Sequence, residues 1–152
     1  LMLTAAGPKV LEFNCRFGDP ETQAILPRID GDLLEVLAAA AGGDLGGITT
    51  KTGDDAAVTV VLASRDYPER GDSGTPIEGA DDAAAAALVF HAGTAVRGGQ
   101  LVTNGGRVLN VTGLGPTLDA AREVAYAACA SIAFDGMQYR RDIAARTADV
   151  AT

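Results

Sequence analysis

The sequence predicts an α+β fold: short strands and helices come first, followed by a small antiparallel β-rich unit with a packed C-terminal helix. Three observations lead to this prediction. The 152 residues can form one ordinary core, or the end of one domain plus a small second one, and 47% of them are hydrophobic. Period-2 alternation and β-branched runs recur along the chain, and an alanine-rich helical period follows them.

The first predicted elements are a hairpin and a strand. Residues 1–4 are strand-like, and residues 5–9 contain the Gly-Pro pair of a turn. Within residues 10–17, positions 11–17 alternate strictly between apolar and polar side chains, which is typical of a half-buried strand. The polar side of this strand carries a carboxylate, a carboxamide and a guanidinium, from Glu12, Asn14 and Arg16.

This polar row is suited to a metal ion and an anion. Side chains two residues apart on a strand are separated by about 6.5–7 Å, and a carboxylate with an amide oxygen suits a small hard cation that bridges phosphate oxygens. Arg16 can bind an anion through two N–H groups, or it can form a salt bridge with Glu12 or Asp19. The alternation by itself is more typical of a strand whose polar face is simply hydrated.

Two helices are predicted next. Asp19-Pro20-Glu21 combines an N-cap, a first-turn proline and a first-turn acid, and the short helix that it starts is interrupted by Pro27. Asp30-Gly31-Asp32 opens a second helix over residues 33–41, and a glycine pair ends it. Residues 44–55 have no periodicity, which indicates a domain junction or, alternatively, a long surface loop within one domain.

The remaining predicted elements are mostly strands. The strand over 57–63 is too apolar for a sheet edge and is therefore expected to be buried. The others, in chain order, are a loop over 71–79, a weak helical turn or loop over 81–87, a strand over 88–92, a hairpin over 100–112 and a helix over 118–132. Asn104-Gly105 is expected to supply the positive φ angles of the hairpin turn. Thr117 is expected to cap the last helix.

Charge and composition exclude several classes of function. The net charge of −8 argues against broad nucleic-acid binding, because phosphate contacts need clustered basic side chains. No apolar run approaches the roughly 20 residues of a membrane span and no leader opens the chain, so we expect a cytoplasmic protein with no membrane partner. The two cysteines, Cys15 and Cys129, are far apart in the sequence and are expected to be buried, reduced thiols. His91 is expected to have a structural role, because no nucleophile and acid accompany it.

The literal sequence adds a resemblance to a known family. Glu-x-Asn-x-Arg is similar to the metal-binding strand of ATP-grasp enzymes, and the whole run 12–23 (Glu-Phe-Asn-Cys-Arg-Phe-Gly-Asp-Pro-Glu-Thr-Gln) resembles the phosphoribosylamine–glycine ligases (glycinamide ribonucleotide synthetases) of purine biosynthesis. Markers of that family's small C-terminal domain follow in order at 67–68, 91–94, 103–109 and 139–143. Arg65-Asp66 and Ala144 depart from the family's pattern.

The resemblance implies an ATP-dependent ligase that joins glycine to 5-phosphoribosylamine through an acyl phosphate, with ATP as co-substrate and Mg²⁺ or Mn²⁺ as cofactor. It implies that Glu12 and Asn14 are metal ligands. It also implies that Arg16 is catalytic and binds a substrate carboxylate or the acyl phosphate.

Three further residues are expected to bind substrate. Asp19 and Glu21 are candidates for contacts with glycine's ammonium group or with ribose hydroxyls, and helix capping explains Asp19 equally well. Arg107 is a candidate for phosphate binding from the second domain, together with backbone N–H groups of residues 104–106. A hairpin tip explains residues 104–106 without any ligand.

The resemblance also implies a domain division. Residues 1–46 would be the C-terminal end of an ATP-grasp domain, and residues 47–152 a small β-rich domain of barrel-sandwich (rudimentary hybrid) type. The chain would be the C-terminal part of a longer ligase, inactive by itself, with the N-terminal part of the same ligase as its partner. Apolar surface left where that part belongs predicts self-association.

Two alternatives stay open. One is an ATP-grasp ligase that uses a different acid and amine, which the run 15–23 disfavours. The other is a non-catalytic β-rich binding or carrier module that bears biotin or lipoate on a lysine at a hairpin tip. The expected tip at Asn104-Gly105 has no lysine, which argues against this second alternative.

Overall fold

The computed structural model describes residues 1–145 and confirms the mixed architecture of helices and small antiparallel sheets. The strands are β1 Met2–Thr4, β2 Gly7–Lys9, β3 Ile29–Asp30, β4 Lys51–Thr52, β5 Ala56–Ala63, β6 Asp72–Pro76, β7 Leu88–His91, β8 Thr94–Arg97, β9 Gln100–Gly105 and β10 Arg107–Gly115. The helices are α1 Glu21–Ile25, α2 Leu33–Gly42, α3 Ala80–Ala84 and α4 Leu118–Ser131, and a 3₁₀ turn Leu26–Arg28 follows α1.

The opening hairpin is confirmed, but the strand predicted over residues 10–17 is wrong. β1 and β2 pair antiparallel with Met2 opposite Lys9. Residues 10–17 have no strand pairing, and their apolar side is solvent-exposed, with Phe13 86% exposed. A strand needs a neighbour that accepts and donates its backbone hydrogen bonds. Within residues 1–145 no such neighbour lies beside this segment, so the alternation of its side chains produces no sheet.

The start of α1 also differs from the prediction. Pro20 occupies the N-cap position, and the carboxylate of Asp19 caps no backbone N–H group of the helix. The interruption at Pro27 is confirmed, because the 3₁₀ turn begins directly after α1. The Asp19 side chain is therefore available for other contacts.

The caps of α2 are as predicted. Asp32 accepts hydrogen bonds from the backbone N–H groups of Leu34 (2.9 Å) and Glu35 (3.2 Å). The helix ends at Gly43, whose φ of 78° lies in the left-handed region that glycine adopts without steric cost. None of its side chains is buried, and Leu34 is 75% exposed.

The main sheet has the order β5-β10-β7 with antiparallel pairing. β10 is its central strand and β5 lies at an edge, so the prediction that the strand at 57–63 is too apolar for a sheet edge is wrong. Its predicted burial is confirmed, because α4 covers the face of β5 that carries Val58, Val60 and Leu62. The shared core consists of aliphatic side chains from β5, β10 and α4, together with Ile132 directly after α4. It includes Val60, Leu62, Leu109, Val111 and Ala125.

Helix α4 forms as predicted, with the Thr117 hydroxyl accepting a hydrogen bond from the Ala120 N–H at 3.1 Å. The segment that leaves it folds back on the helix. The Tyr126 hydroxyl donates to the Arg140 carbonyl oxygen at 2.8 Å, and Arg122 Nε donates to the Ile143 carbonyl oxygen at 3.0 Å. These contacts hold residues 139–143 against α4.

The second sheet corrects two predictions. Its order is β6-β9-β8, so residues 72–76 form a strand where a loop was expected. The tight hairpin joins β8 to β9 through Gly98 and Gly99, whose φ values of 59° and 81° are those that such a turn requires. The predicted turn at Asn104-Gly105 is wrong, because the chain there passes from β9 in one sheet to β10 in the other.

This passage between the sheets depends on a close backbone approach. A Cβ atom on Gly93 would lie 2.7 Å from the Cα atom of Gly105 and 2.7 Å from the Arg107 carbonyl oxygen. Glycine at this position is therefore explained by packing of backbone on backbone. The approach sets where β10 begins, and thus where Arg107 lies.

The two thiols differ from each other. Cys129 is fully buried as predicted, and burial raises the pKa of its thiol to about 12. Cys15 is exposed, contrary to the prediction, because the segment that carries it packs against nothing in the described part of the chain. His91 contacts Thr94 through Nδ1 at 3.1 Å from the hydroxyl oxygen.

The pairing of β3 with β4 joins Asp30 to Lys51 across the predicted domain boundary between residues 46 and 47, and that boundary stays a prediction.

Among residues 1–145, no helix combines the length and the apolar character that a bilayer crossing needs.

Candidate functional site

Two of the residues expected to bind substrate lie together in the structure. Arg107, at the first position of β10, donates from Nη1 to the backbone carbonyl oxygen of Asp19 at 2.7 Å. Its Nη2 lies 3.7 Å from Asp19 Oδ2, within ion-pair distance. Both side chains are partly exposed, at 38% for Arg107 and 42% for Asp19. The fold therefore joins the motif segment 12–23 to the main sheet through these two residues.

The polar row of the motif has a local contact of its own. Arg16 Nη1 donates to Asn14 Oδ1 at 2.8 Å. The alternative salt bridges from Arg16 to Glu12 and to Asp19 are not formed within residues 1–145. An amide oxygen has two lone pairs, so Asn14 Oδ1 retains one acceptor position beside this hydrogen bond.

Glu21 lies near Arg16 on the other side of Gly18. A Cβ atom built on Gly18 would lie 2.1 Å from Glu21 Oε2 and 3.4 Å from Arg16 Nη1. Glycine at this position therefore leaves room for the Glu21 carboxylate. A carboxylate and a guanidinium thus lie on either side of Gly18 at the end of the motif, and within residues 1–145 they form no ion pair.

The Asp19 carboxylate is held by two amides. Gln23 Nε2 donates to Asp19 Oδ1 at 2.9 Å, and Asn110 Nδ2 lies 3.5 Å from the same oxygen. Asn110 is fully buried in β10, and its Oδ1 and the Oε1 of Gln23 are buried without a hydrogen-bond partner in the described residues. A carboxylate oxygen only accepts hydrogen bonds, which fixes the orientation of both amides.

The main chain of α1 is fastened to the same sheet. Thr112 Oγ1 donates to the Gln23 carbonyl oxygen at 3.1 Å, and it lies 2.7 Å from Thr59 Oγ1. Since Thr112 uses its single hydroxyl proton on Gln23, the Thr59 hydroxyl donates to Thr112. β5, β10 and α1 are thereby connected by one line of hydrogen bonds.

The other polar residues expected near Arg107 face elsewhere. Asn104 Oδ1 lies 3.3 Å from Ser73 Oγ and 3.4 Å from Arg97 Nη2, in the second sheet. Asn104 is thus part of a polar cluster of that sheet, and of the run 104–107 only Arg107 contacts the motif segment.

The donors available to a metal ion are few. Among residues 1–145, no group of three or more His, Cys, Asp or Glu side chains lies close enough to hold an ion. Mg²⁺ in phosphoryl-transfer sites is bound by one or two carboxylates together with substrate phosphates and water. Glu12, which is exposed, and Asn14 fit this partial ligand set.

Gln23 and Asn110 were not predicted from the sequence as site residues. The signal for Gln23 was its spacing, because a residue four positions after Asp19 lies on the same side of a helix. The signal for Asn110 was a lone amide within the apolar run of β10. Neither signal identifies Asp19 as the shared partner, since Asn110 lies 91 residues away from it.

Comparison with known proteins identifies the family. Residues 57–146, more than half of the chain, match the family described as phosphoribosylglycinamide synthetase, C domain. Residues 1–22 match the ATP-grasp (A) domain of the same synthetase.

The curated relatives agree with this match. A phosphoribosylamine–glycine ligase from Rhizobium meliloti (strain 1021) is 51% identical over 143 residues, which are 94% of this chain and 34% of that protein. One from Caldanaerobacter subterraneus subsp. tengcongensis is 48% identical over 145 residues, or 95% of this chain and 34% of that protein. The chain thus spans about a third of the length of these relatives.

A solved structure has the same fold. The crystal structure of a phosphoribosylamine–glycine ligase from Thermotoga maritima superposes with a TM-score of 0.77 at 38% sequence identity. The match covers 93% of this chain and 35% of that one. Sequence and structure therefore agree that this chain belongs to the phosphoribosylglycinamide synthetase family.

Proposed function

We propose that the chain is the part of a phosphoribosylamine–glycine ligase that supplies the metal-binding motif and the small second domain. The observation that carries this proposal is the contact between Arg107 and Asp19, which brings residues from both halves of the chain to one exposed place. The names of the relatives support the joining of glycine to 5-phosphoribosylamine, and the match of residues 1–22 to an ATP-grasp domain supports the use of ATP.

The chemistry has to convert a carboxylate into an electrophile. A glycine carboxylate oxygen attacks the γ-phosphorus of ATP, and ADP leaves. The amine of 5-phosphoribosylamine then attacks the acyl carbon, the C–O bond to phosphate breaks, and a proton leaves the nitrogen as the amide forms. Both steps bring anions together, so the site has to supply positive charge and hydrogen-bond donors.

Glu12 and Asn14 are the residues that would hold the divalent ion. The family implies Mg²⁺ or Mn²⁺, and a carboxylate with an amide oxygen is a ligand pair that either ion accepts. When bound, the ion neutralises charge on the phosphates of ATP. Asn14 Oδ1 also accepts from Arg16 Nη1 at 2.8 Å, which orients the amide oxygen.

Arg16 is the proposed catalytic residue of this chain. One of its N–H groups is used on Asn14, which leaves other donors of the guanidinium free to bind a substrate carboxylate or the acyl phosphate oxygens. Glu21, beside Arg16 across Gly18, is proposed to bind substrate as an acceptor. Arg107 is proposed to bind the phosphate of 5-phosphoribosylamine, and Asp19 lies beside it.

The proposed domain division follows the predicted one. Residues 1–46 would complete an ATP-grasp domain, and residues 47–152 would form the second domain of barrel-sandwich type. Exposed apolar side chains of the first part, with Leu3 83% and Phe13 86% exposed, support an interface with the rest of the ligase. The same surface supports self-association of the chain when that part is absent. The cytoplasmic location expected from the sequence is part of the same proposal.

The proposal is tested by complementation. We expect no ligase activity from the chain alone, and glycine-dependent ADP release when it is produced together with the N-terminal two-thirds of the Rhizobium meliloti relative. Glu12→Ala should lower kcat about 100-fold, because a metal ligand is lost. Glu69→Ala, an exposed acid in the turn before β6, is the matched control and should leave the rate unchanged.

Two outcomes would contradict the proposal. Full activity of Glu12→Ala would remove that residue from the metal site. Equal rates with other acids and amines in place of glycine and 5-phosphoribosylamine would favour the ligase with different substrates. No observation favours a carrier module, because the β8–β9 hairpin turns at Gly98-Gly99 and offers no lysine.

A further inference from the structure

The Asp19 carboxylate lies at the centre of a closed circuit of contacts. Thr112 in β10 donates to the Gln23 carbonyl oxygen, and Gln23 Nε2 donates to Asp19 Oδ1 at 2.9 Å. Asp19 then contacts Arg107, which lies in the same strand, β10, as Thr112, so that the circuit closes. Gln23 and Thr112 have no role in the proposed site, and of these two only Gln23 contacts the Asp19 carboxylate.

We infer that Gln23 is a positioning residue: it holds the Asp19 carboxylate so that Asp19 orients the guanidinium of Arg107. This inference rests on the proposed function in one respect, namely that Arg107 binds the phosphate of 5-phosphoribosylamine.

The geometry supports this role over a simple surface contact. Gln23 is anchored through its backbone, because the Thr112–Thr59 hydroxyl pair fixes its carbonyl oxygen to the main sheet. Its side chain is partly buried, and the amide oxygen is fully enclosed. The N–H group that reaches Asp19 is therefore held by the sheet, whereas Asp19 itself lies before α1 and makes no cap.

The two carboxylate oxygens of Asp19 have different partners, which further supports the positioning role of Gln23. The two amides, from Gln23 and Asn110, both lie near Oδ1, at 2.9 and 3.5 Å. Oδ2 is left for Arg107, at 3.7 Å from Nη2. If Oδ1 lost the shorter of these contacts, that from Gln23, only the 3.5 Å contact from Asn110 would restrain it and the carboxylate could rotate more freely. Arg107 would then keep its hydrogen bond to the Asp19 carbonyl oxygen while the contact with Oδ2 weakens.

The N–H groups of Arg107 that do not contact Asp19 indicate which chemical group this side chain binds. A guanidinium carries five N–H groups, and within residues 1–145 the recorded contacts of Arg107 are those of Nη1 and Nη2 with Asp19. A half-exposed guanidinium that is fixed along one edge presents its other donors in a defined direction. Such an arrangement favours directed hydrogen bonds to a tetrahedral oxyanion, such as a phosphate monoester, over undirected attraction to negative charge.

The first test uses the chain itself and does not depend on ligase activity. Gln23→Met removes the donor while keeping the shape of the side chain. Hydrogen exchange of the Arg107 guanidinium, followed by ¹⁵N NMR, should become about tenfold faster, as expected for the loss of one hydrogen bond to a charged group. Gln100→Met, at an exposed position in β9, is the matched control and should leave exchange unchanged.

The second test uses the complemented ligase. Gln23→Met should raise KM for 5-phosphoribosylamine about tenfold with little change in kcat or in KM for ATP, because only the orientation of Arg107 is altered. In an Arg107→Gln background the same change should have no further effect on that KM. The exchanged pair Asp19→Asn with Gln23→Glu keeps one N–H···O contact with reversed polarity and should recover part of the loss.

The outcomes separate the inference from the proposed function. Unchanged Arg107 exchange in Gln23→Met would overturn the positioning role, as would an equal rise in KM in the Arg107→Gln background. Faster exchange with an unchanged KM for 5-phosphoribosylamine would uphold the positioning role and contradict phosphate binding by Arg107. If Gln23→Met does not fold, Gln23→Glu, which also removes the donor N–H group and keeps the shape of the side chain, decides by the same exchange measurement, and unchanged Arg107 exchange would again overturn the positioning role.

Discussion

Gly113 in β10 and Ala121 in α4 are in backbone contact. A Cβ atom on Gly113 would lie 2.2 Å from the Ala121 carbonyl oxygen and 2.5 Å from the Ala125 nitrogen. Both alanines are fully buried. The helix therefore rests directly on the central strand, and the small residues on each side set its distance from the sheet that carries Asn110 and Arg107.

Gly113→Ala tests this contact. The added methyl group has to displace backbone, so we expect a loss of about 1–3 kcal/mol in the free energy of unfolding. The measurement is urea unfolding followed by circular dichroism. Gly42→Ala, at a helical position with open space around the new Cβ, is the control and should be neutral or stabilising by up to about 1 kcal/mol. Equal stability of the two variants would contradict the close approach.

The thiols should differ in reactivity. Burial raises the pKa of Cys129 to about 12, so at pH 8 this thiol stays protonated as well as enclosed. Cys15 is exposed. We expect N-ethylmaleimide to label one thiol in the native chain and two in denaturant, measured by intact mass. Cys15→Ser should abolish native labelling, and rapid labelling of that variant would show that Cys129 is accessible.

The free energy of unfolding should depend on pH in the acid range through Asp72 in the second sheet. The Thr103 hydroxyl donates to Asp72 Oδ2 at 2.6 Å, and this hydrogen bond, with that from Thr75, lowers the pKa of the Asp72 carboxyl below 3.8. A lowered folded-state pKa contributes stability above the unfolded-state pKa, and this stability is lost as the pH falls through the folded-state value.

Thr103→Val removes the main donor and should bring the Asp72 pKa back toward its ordinary value. The free energy of unfolding should then depend less on pH, as the pH falls below the ordinary carboxyl pKa of about 4, than in the unaltered chain. Asp72→Asn should show the same weaker dependence. Urea unfolding at a series of pH values measures it, and an unchanged pH slope in both variants would contradict the assignment.

Arg28 should hold the segment before β5. Its Nε donates to the Asp55 carbonyl oxygen at 2.7 Å, and its Nη2 lies 3.3 Å from the Gly53 carbonyl oxygen. Arg28→Ala should therefore speed proteolytic cleavage within residues 44–55 several-fold, because local opening becomes easier. Arg65→Ala removes an exposed pair with Asp135 and should change neither cleavage nor stability measurably.

Elements whose signals are local were predicted well. Asp32 and Gly43 define the two ends of α2, and Thr117 starts α4, because caps and left-handed glycines act within a few residues of the chain. The hairpin turn was misplaced. Asn104-Gly105 and Gly98-Gly99 both suit a tight turn, and only the pairing of β8 with β9 decides between them.

Local patterns along the chain are sufficient to predict the composition class, the helices and the motif by which the family is recognised. Only the packing of distant segments explains why Arg107 meets Asp19 across 88 residues and why Gln23 and Asn110 share one carboxylate oxygen. It also explains why residues 10–17 pair with no strand in the described part of the chain. The physical reason is the distance along the chain over which each kind of interaction acts. Turn and cap preferences depend on neighbours along the chain, whereas strand pairing and side-chain contacts depend on which distant surfaces pack together.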